Sequence, residues 1–221
     1  LQLTGMDPVA VLVPNSFPEF LQWLPGAGDV IVFEEKEEEA KTILNCADLI
    51  ICLDFNELKR IGKMGDVVSA SNAKCLLIDH HLHPADFADV KMSYPDSAST
   101  SELVFRFICQ SGNFSLIDNV MAECIYTGMM TDTGNFSYNS NDVEMYSIVS
   151  ELVRLGVDKD AVYNRVFNTY SESRMRLMGF CLYQKLKIYK KEHTALIALS
   201  KKDLMRFSFQ SGDAEGLVIM A

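Results

Sequence analysis

The chain of 221 residues carries 20 Lys+Arg against 30 Asp+Glu, a formal net charge of −10, and is 48% hydrophobic. That size and apolar content predict a packed globule with a substantial core. The acidic balance excludes a surface built to grip long duplex nucleic acid, which needs clustered Lys and Arg; a small phosphorylated ligand in one local pocket, or cations gathered by carboxylates, fits it.

From the N-terminus, LQLTG reads as the last turn of a helix closed by Gly5, with no basic n-region or cleavage site, and predicts further residues upstream. PVAVLV (8–13), DVIVFE (29–34), ADLIICLD (47–54) and AKCLLIDHH (73–81) are short and rich in Val, Ile and Leu. Consecutive apolar positions suit strands buried on both faces, as in a parallel sheet covered by helices. SFPEFLQWLPGAG and NELKRIGKMGDVV predict turns and short helices between them, and FEEKEEEAK a solvated helix face. From residue 97 the period changes. SASTSELVFRFICQSG, SLIDNVMAECIYTGMMTD and SNDVEMYSIVSELVRLG each predict a helix; the first and last run from a polar cap to a glycine, and the second has helical apolar spacing. KLKIYKKEHTALIALS then predicts two antiparallel strands joined near Glu192-His193, KKDLMRFS a short helix, and the final GDAEGLVIMA a strand-like run with more chain beyond it.

The expected architecture is α/β: a parallel-sheet domain over 1–150 with helices on both faces, a helical connector over 151–184, and the start of a smaller α+β domain over 185–221. The longest apolar runs fall short of the eighteen residues that a membrane helix needs. Six cysteines, none in a C-x-x-C pair and most inside apolar runs, predict reduced thiols in a cytoplasmic protein.

Two of the predicted strands end in acids, Asp54 and Asp79, and Asp79 is followed by His80 and His81. Ligands of open parallel sheets gather beyond the carboxyl ends of the strands. Three ionisable groups at a buried strand end require partners, a metal or an exit to water. Neighbouring side chains of an extended segment alternate, so His80 and His81 are expected to face different groups. One faces a metal and the other a substrate or supporting group, while Asp79 fixes an imidazole tautomer. Two loop histidines satisfied by their neighbours is the alternative. MMTDTGNFSYN places Asp132 at a helix exit between hydroxyls. Asp54, His80 and Asp132 then form a carboxylate and imidazole set suited to Mn²⁺ or Mg²⁺. Ser97, Ser99 and Thr100 at a helix start offer amides and hydroxyls to phosphate, or are plain caps. His83, beside Pro84, reads as a surface residue.

LIDHHLHP resembles the signature of the DHH phosphoesterases, which include RecJ-type exonucleases, family II inorganic pyrophosphatases and small oligoribonucleases. The order is similar too: ICLDFNELKRIG in the place of the second motif, Asp79-His80-His81 of the third, then DSASTSEL, then GMMTDTGNF of the fourth. The likeness covers about residues 5 to 140, and its TDTG-F form is most similar to the oligoribonuclease and 3′,5′-bisphosphate nucleotidase branch. The tail from 185 looks like the start of the accompanying DHHA1 domain.

This resemblance implies two divalent ions, Mn²⁺ first and Mg²⁺ second, with Asp54 bridging them and His80 and Asp132 as further ligands. It implies His81 beside the scissile phosphate, supported by Asp79, and Arg60, Ser97, Ser99 and Thr100 as substrate-binding candidates. The implied activity is hydrolysis of short oligoribonucleotides or adenosine 3′,5′-bisphosphate by a metal-activated water, with a second copy of the chain as protein partner. A pyrophosphatase would carry an Arg-Lys-Lys cluster that YKKEH and SKKDL match only loosely. A cyclic dinucleotide phosphodiesterase stays open, and a non-catalytic nucleotide- or partner-binding module is the alternative of another class. The family's first motif (a His and two Asp) and its late Gly-Gly-His motif have no counterpart in these residues.

Overall fold

The computed structural model describes residues 8–168 and 171–210, with Gly5, Asp213 and Leu217. The expected helix turn at LQLTG and the terminal apolar run therefore lie outside the described residues, Gly5, Asp213 and Leu217 excepted. The chain divides into two compact units, one of residues up to 163 without 17–23, the other of 17–23 and 164–221.

In the first unit β1 (Leu12–Val13) pairs in parallel with β2 (Ile31–Val32). Both are shorter than their apolar runs predict. Beyond Val13 the regular ladder gives way to a bond from the Glu34 N–H to the Pro14 carbonyl at 3.3 Å. After α1 (Glu37–Cys46) come β3 (Leu49–Leu53), α2 (Lys63–Ala70), β4 (Lys74–Asp79) and β5 (Val90–Ser93). These strands form a parallel sheet in the order β3-β4-β5. β5 was not expected: it is an edge strand, its Val90 is exposed, and so it lacks the continuous apolar signature of its neighbours.

The middle strand shows why the sheet is an interior layer. Leu77 and Ile78 are adjacent, so they point to opposite faces, yet they are 0% and 2% exposed. Both faces of β4 are therefore covered. On one face Leu77 joins Cys52 and Cys75, backed by Phe55, Val68 and Phe87. The two thiols lie 3.6 Å apart, and burial pushes both above the ordinary cysteine range. All six cysteines are free. Ala40 and Leu44 of α1 and Met64 of α2 close a second cluster with Phe33 and Ile61. Full burial of a side chain such as Leu77 is worth about 2 kcal/mol.

Three helices follow, each started by its own cap. Ser99 Oγ accepts from the Glu102 N–H at the start of α3 (Thr100–Gln110), Asp118 from Met121 at α4 (Asn119–Asp132), and Asp142 from Glu144 at α5 (Val143–Arg154). Glu102 is 1% exposed, a position that an unpaired carboxylate would not tolerate. It accepts from the Ala98 N–H and from Arg106, which also reaches Glu144 of α5 at 2.9 Å.

α6 (Lys159–Phe167) leads towards the second unit, whose elements are α7 (Glu172–Phe180), a π turn (Cys181–Lys185), the antiparallel pair β6 (Leu186–Tyr189) and β7 (Thr194–Ile197), and α8 (Lys201–Arg206). Leu177, Cys181 and Leu217 form its core with Ile197, Leu199 and Phe207. No helix among the described residues is long and apolar enough to cross a membrane.

The Glu102–Arg106 pair supplies a direct test of this packing. Arg106→Ala leaves a buried carboxylate without its cation and is expected to lower unfolding free energy by roughly 2 kcal/mol. Arg154→Ala, which removes an exposed partner of Glu151, is expected to change it by less than about 0.5 kcal/mol. Urea midpoints of the two variants check the contrast.

Candidate metal centre

The centre lies beyond the carboxyl ends of β3 and β4, where two helices bring their own ends to meet it. β3 stops at Leu53, and Asp54 adopts φ 67, a left-handed conformation uncommon outside glycine. Its N–H still donates to the Ile78 carbonyl at 3.2 Å, so the turn starts from a fixed ladder. Asp54 Oδ1 accepts from Thr100 Oγ1 at 2.8 Å, which ties it to the first residue of α3.

β4 stops at Asp79, which is 0% exposed. Its two oxygens accept from one residue: Oδ2 from the His81 N–H at 3.1 Å, and Oδ1 from His81 Nδ1 at 2.7 Å. A carboxylate there places the proton on Nδ1 and leaves Nε2 of His81 free. His80 is oriented differently. Its Nδ1 donates to the Ser97 carbonyl at 3.1 Å, since a carbonyl only accepts. Nε2 of His80 then presents its lone pair 3.2 Å from Asp132 Oδ2 and 3.6 Å from Asp54 Oδ1.

The two imidazoles engage different partners, His80 turning to Asp54 and Asp132 and His81 to Asp79, yet they remain close. His81 Nδ1 also lies 3.9 Å from Asp54 Oδ1, and the two rings stand edge to face with centroids 5.0 Å apart. One ligand atom from each of Asp54, His80 and His81 fits within 4.8 Å. The period-two rule ends with the strand at Asp79, and both histidines lie past it.

Asp132 is the last residue of α4. Burial pushes its carboxyl above the ordinary carboxylate range; His80 opposes the rise and the Asp54 charge adds to it. Beyond it Thr133, 0% exposed, donates to the Met129 carbonyl and accepts from the Phe136 N–H. Gly134, Asn135 and Phe136 all have positive φ (54, 58 and 59), and Phe136 is held between Tyr126 and Tyr146.

Among the remaining candidates, Ser99 serves as the α3 cap and is 1% exposed, and Ser97 contributes its carbonyl to His80. Arg60 Nη1 reaches Asn56 Oδ1 at 3.4 Å. Asn56 itself escaped sequence reasoning. Its Nδ2 donates to the Leu82 carbonyl at 2.8 Å and its own carbonyl accepts from Ala85 at 2.7 Å, so it clamps the loop that carries both histidines. The available signal was an Asn two residues after a strand-closing Asp, a common turn residue.

Residues 4–129, more than half of the chain, match the family model described as DHH family, N-terminal domain. The chain belongs to the DHH family. It is 26% identical over 172 residues to the bifunctional oligoribonuclease and PAP phosphatase NrnA of Bacillus subtilis, covering 77% of this chain and 53% of that one. A probable NrnA of Streptococcus mutans is 27% identical over 199 residues, covering 90% and 58%. The chain thus spans little more than half the length of these curated relatives. An exopolyphosphatase-related protein from Bacteroides fragilis, known from a crystal structure, superposes with a TM-score of 0.92 at 52% identity, over 99% of this chain and 64% of its own.

The turn after Asp132 yields a paired prediction. A Cβ on Gly26 (φ 81) meets nothing within 4 Å, whereas one on Gly134 (φ 54) overlaps the Tyr138 ring, with Cζ at 2.8 Å. Gly26→Ala is expected to cost about 1 kcal/mol for its backbone alone, and Gly134→Ala roughly 2–3 kcal/mol. Thermal melts of the metal-free variants measure the difference.

Proposed function

We propose that this chain is the metal-binding part of a divalent-cation-dependent phosphoesterase that hydrolyses short oligoribonucleotides, adenosine 3′,5′-bisphosphate or both. The observation that carries the reading is the convergence of Asp54 and Asp132 on the Nε2 lone pair of His80. Oxygen and nitrogen lone pairs facing one another at these distances need a proton or a cation between them. Carboxylates and imidazole without any thiolate match the Mn²⁺ and Mg²⁺ class. Asp54, His80 and Asp132 would hold the ion, and in the fuller form of this reading Asp54 would also serve as ligand to a second one.

Such ions, when bound, supply Lewis-acid stabilisation to phosphoryl oxygens and lower the pKa of water. The chain's own residues do the rest. Thr100 restrains Asp54 by its hydroxyl, and the Ser97 carbonyl holds His80 in the tautomer that leaves Nε2 unprotonated. Asp79 turns His81 by two hydrogen bonds, and the His81 side chain stays 30% exposed. His81 is therefore the group suited to meet a substrate phosphate, with Asp79 fixing the orientation of its imidazole. Arg60, exposed and tethered to Asn56, is a candidate for a second phosphate contact. In this reading residues 1–150 form the hydrolytic domain, 151–184 the connector and 185–221 the start of a DHHA1 substrate domain.

The NrnA relatives support oligoribonucleotide and PAP substrates by their names. A second reading, hydrolysis of a phosphoanhydride such as polyphosphate or pyrophosphate, is favoured by the 52% identical exopolyphosphatase-related neighbour.

The test is a Mn²⁺-supplemented assay of the full-length protein on oligoribonucleotides of two to five residues, adenosine 3′,5′-bisphosphate, pyrophosphate and short polyphosphate. Released nucleotide or phosphate is measured. His80→Ala and Asp132→Ala are expected to lower kcat/KM by roughly 100-fold or more, and chelation followed by Mn²⁺ to abolish and restore activity. Undiminished activity in both variants would refute the ligand assignment. Turnover confined to polyphosphate or pyrophosphate would select the second reading.

A further inference from the structure

We propose that Gly128 is a positioning residue for the metal centre: its missing side chain sets how closely α3 crosses α4, and so holds Thr100 and Asp132 in register around Asp54 and His80. This rests on the reading of the centre as a cation site.

Gly128 lies four residues before Asp132, one turn back on the same face of α4. A Cβ built on it would overlap Ser101 Oγ and come within 2.8 Å of Ser101 Cβ. Ser101 follows Thr100, whose hydroxyl donates to Asp54. Ser97, a few residues earlier, supplies the carbonyl that orients His80. The segment pressed against Gly128 thus carries two of the hydrogen bonds that shape the centre, and α4 carries a third element, Asp132.

The segments on both sides of the contact are anchored by buried neighbours. Thr127, Met129 and Met130 beside Gly128 are 1%, 0% and 0% exposed, while Ser99, Glu102 and Leu103 of the opposing segment are each 1% exposed. Around Gly128 the threonine hydroxyls are already committed to backbone carbonyls: Thr127 donates to Glu123, Thr131 to Thr127 and Gly128, and Thr133 to Met129. Restoring van der Waals contact around an added methyl requires a shift of about 1 Å, a displacement able to cost a reaction 100-fold. Glycine is also a poor residue for a helix interior, where alanine is ordinarily preferred. A Gly→Ala change that harms the protein here is therefore diagnostic of the crossing, not of helix propensity.

The test measures Mn²⁺ binding directly, by the electron paramagnetic resonance signal of free Mn²⁺ titrated with full-length protein, alongside circular dichroism. Gly128→Ala is expected to keep the helical spectrum and weaken Mn²⁺ binding at least tenfold, with kcat falling more than KM changes. Adding Ser101→Gly, which clears the overlapping atoms, is expected to restore binding to within threefold of the unsubstituted protein. Wild-type-like binding by Gly128→Ala overturns the proposal while leaving the cation site intact. A double variant that fails to regain binding also overturns it, and this arm decides the matter if Gly128→Ala does not fold. Absence of Mn²⁺ binding by the unsubstituted protein overturns the cation reading and the proposal together.

Discussion

Two carboxylates facing a single imidazole nitrogen are the constraint on which this structure turns. Asp54 and Asp132 carry like charge, and each lies within 3.6 Å of His80 Nε2, whose other nitrogen is already committed to a carbonyl. Burial holds the Asp132 carboxyl above the ordinary range, and the like charge of Asp54 adds to that rise. The arrangement persists because each participant is fixed from behind. The parallel ladder holds the Asp54 backbone, α3 holds its side chain, and the end of α4 delivers Asp132. The fold supplies rigidity, and the unmet electrostatic demand at the centre invites a cation.

The interior of the sheet makes this rigidity available. A strand covered on both faces, as β4 is at Leu77 and Ile78, cannot slide to relieve strain at its end. Strain collects at the exits instead: left-handed Asp54 after β3, and the left-handed turn of Gly134, Asn135 and Phe136 after α4. Such conformations survive where surrounding contacts over-determine them. Here Thr133, buried and bonded on both sides, and the aromatic neighbours of Phe136 provide those contacts.

Much of the α/β architecture was legible in the residues themselves. β3 and β4 announced themselves by unbroken apolar runs, α3 and α5 by a polar cap running to a glycine, and α4 by helical apolar spacing. β1 and β2 are shorter than their apolar runs because such a run does not show how far two strands stay in register, and β5 carries no signal because an edge strand needs no continuous apolar face. At the centre, acids and histidines at strand and helix ends marked which side chains to watch. Their orientation was beyond reach. It depends on where β4 stops, on the backbone carbonyl of Ser97 and on the clamp by Asn56, all tertiary contacts that no local pattern encodes. The contact between Gly128 and Ser101 belongs to the same class, being visible only once two helices cross.

The central claim is that this cluster binds a divalent cation, and anomalous scattering tests it most directly. Crystals of the full-length protein grown with Mn²⁺ should show an anomalous peak at the manganese edge within bonding distance of Asp54, His80 and Asp132. A map with no peak there, or with manganese bound only elsewhere in the molecule, would contradict the account.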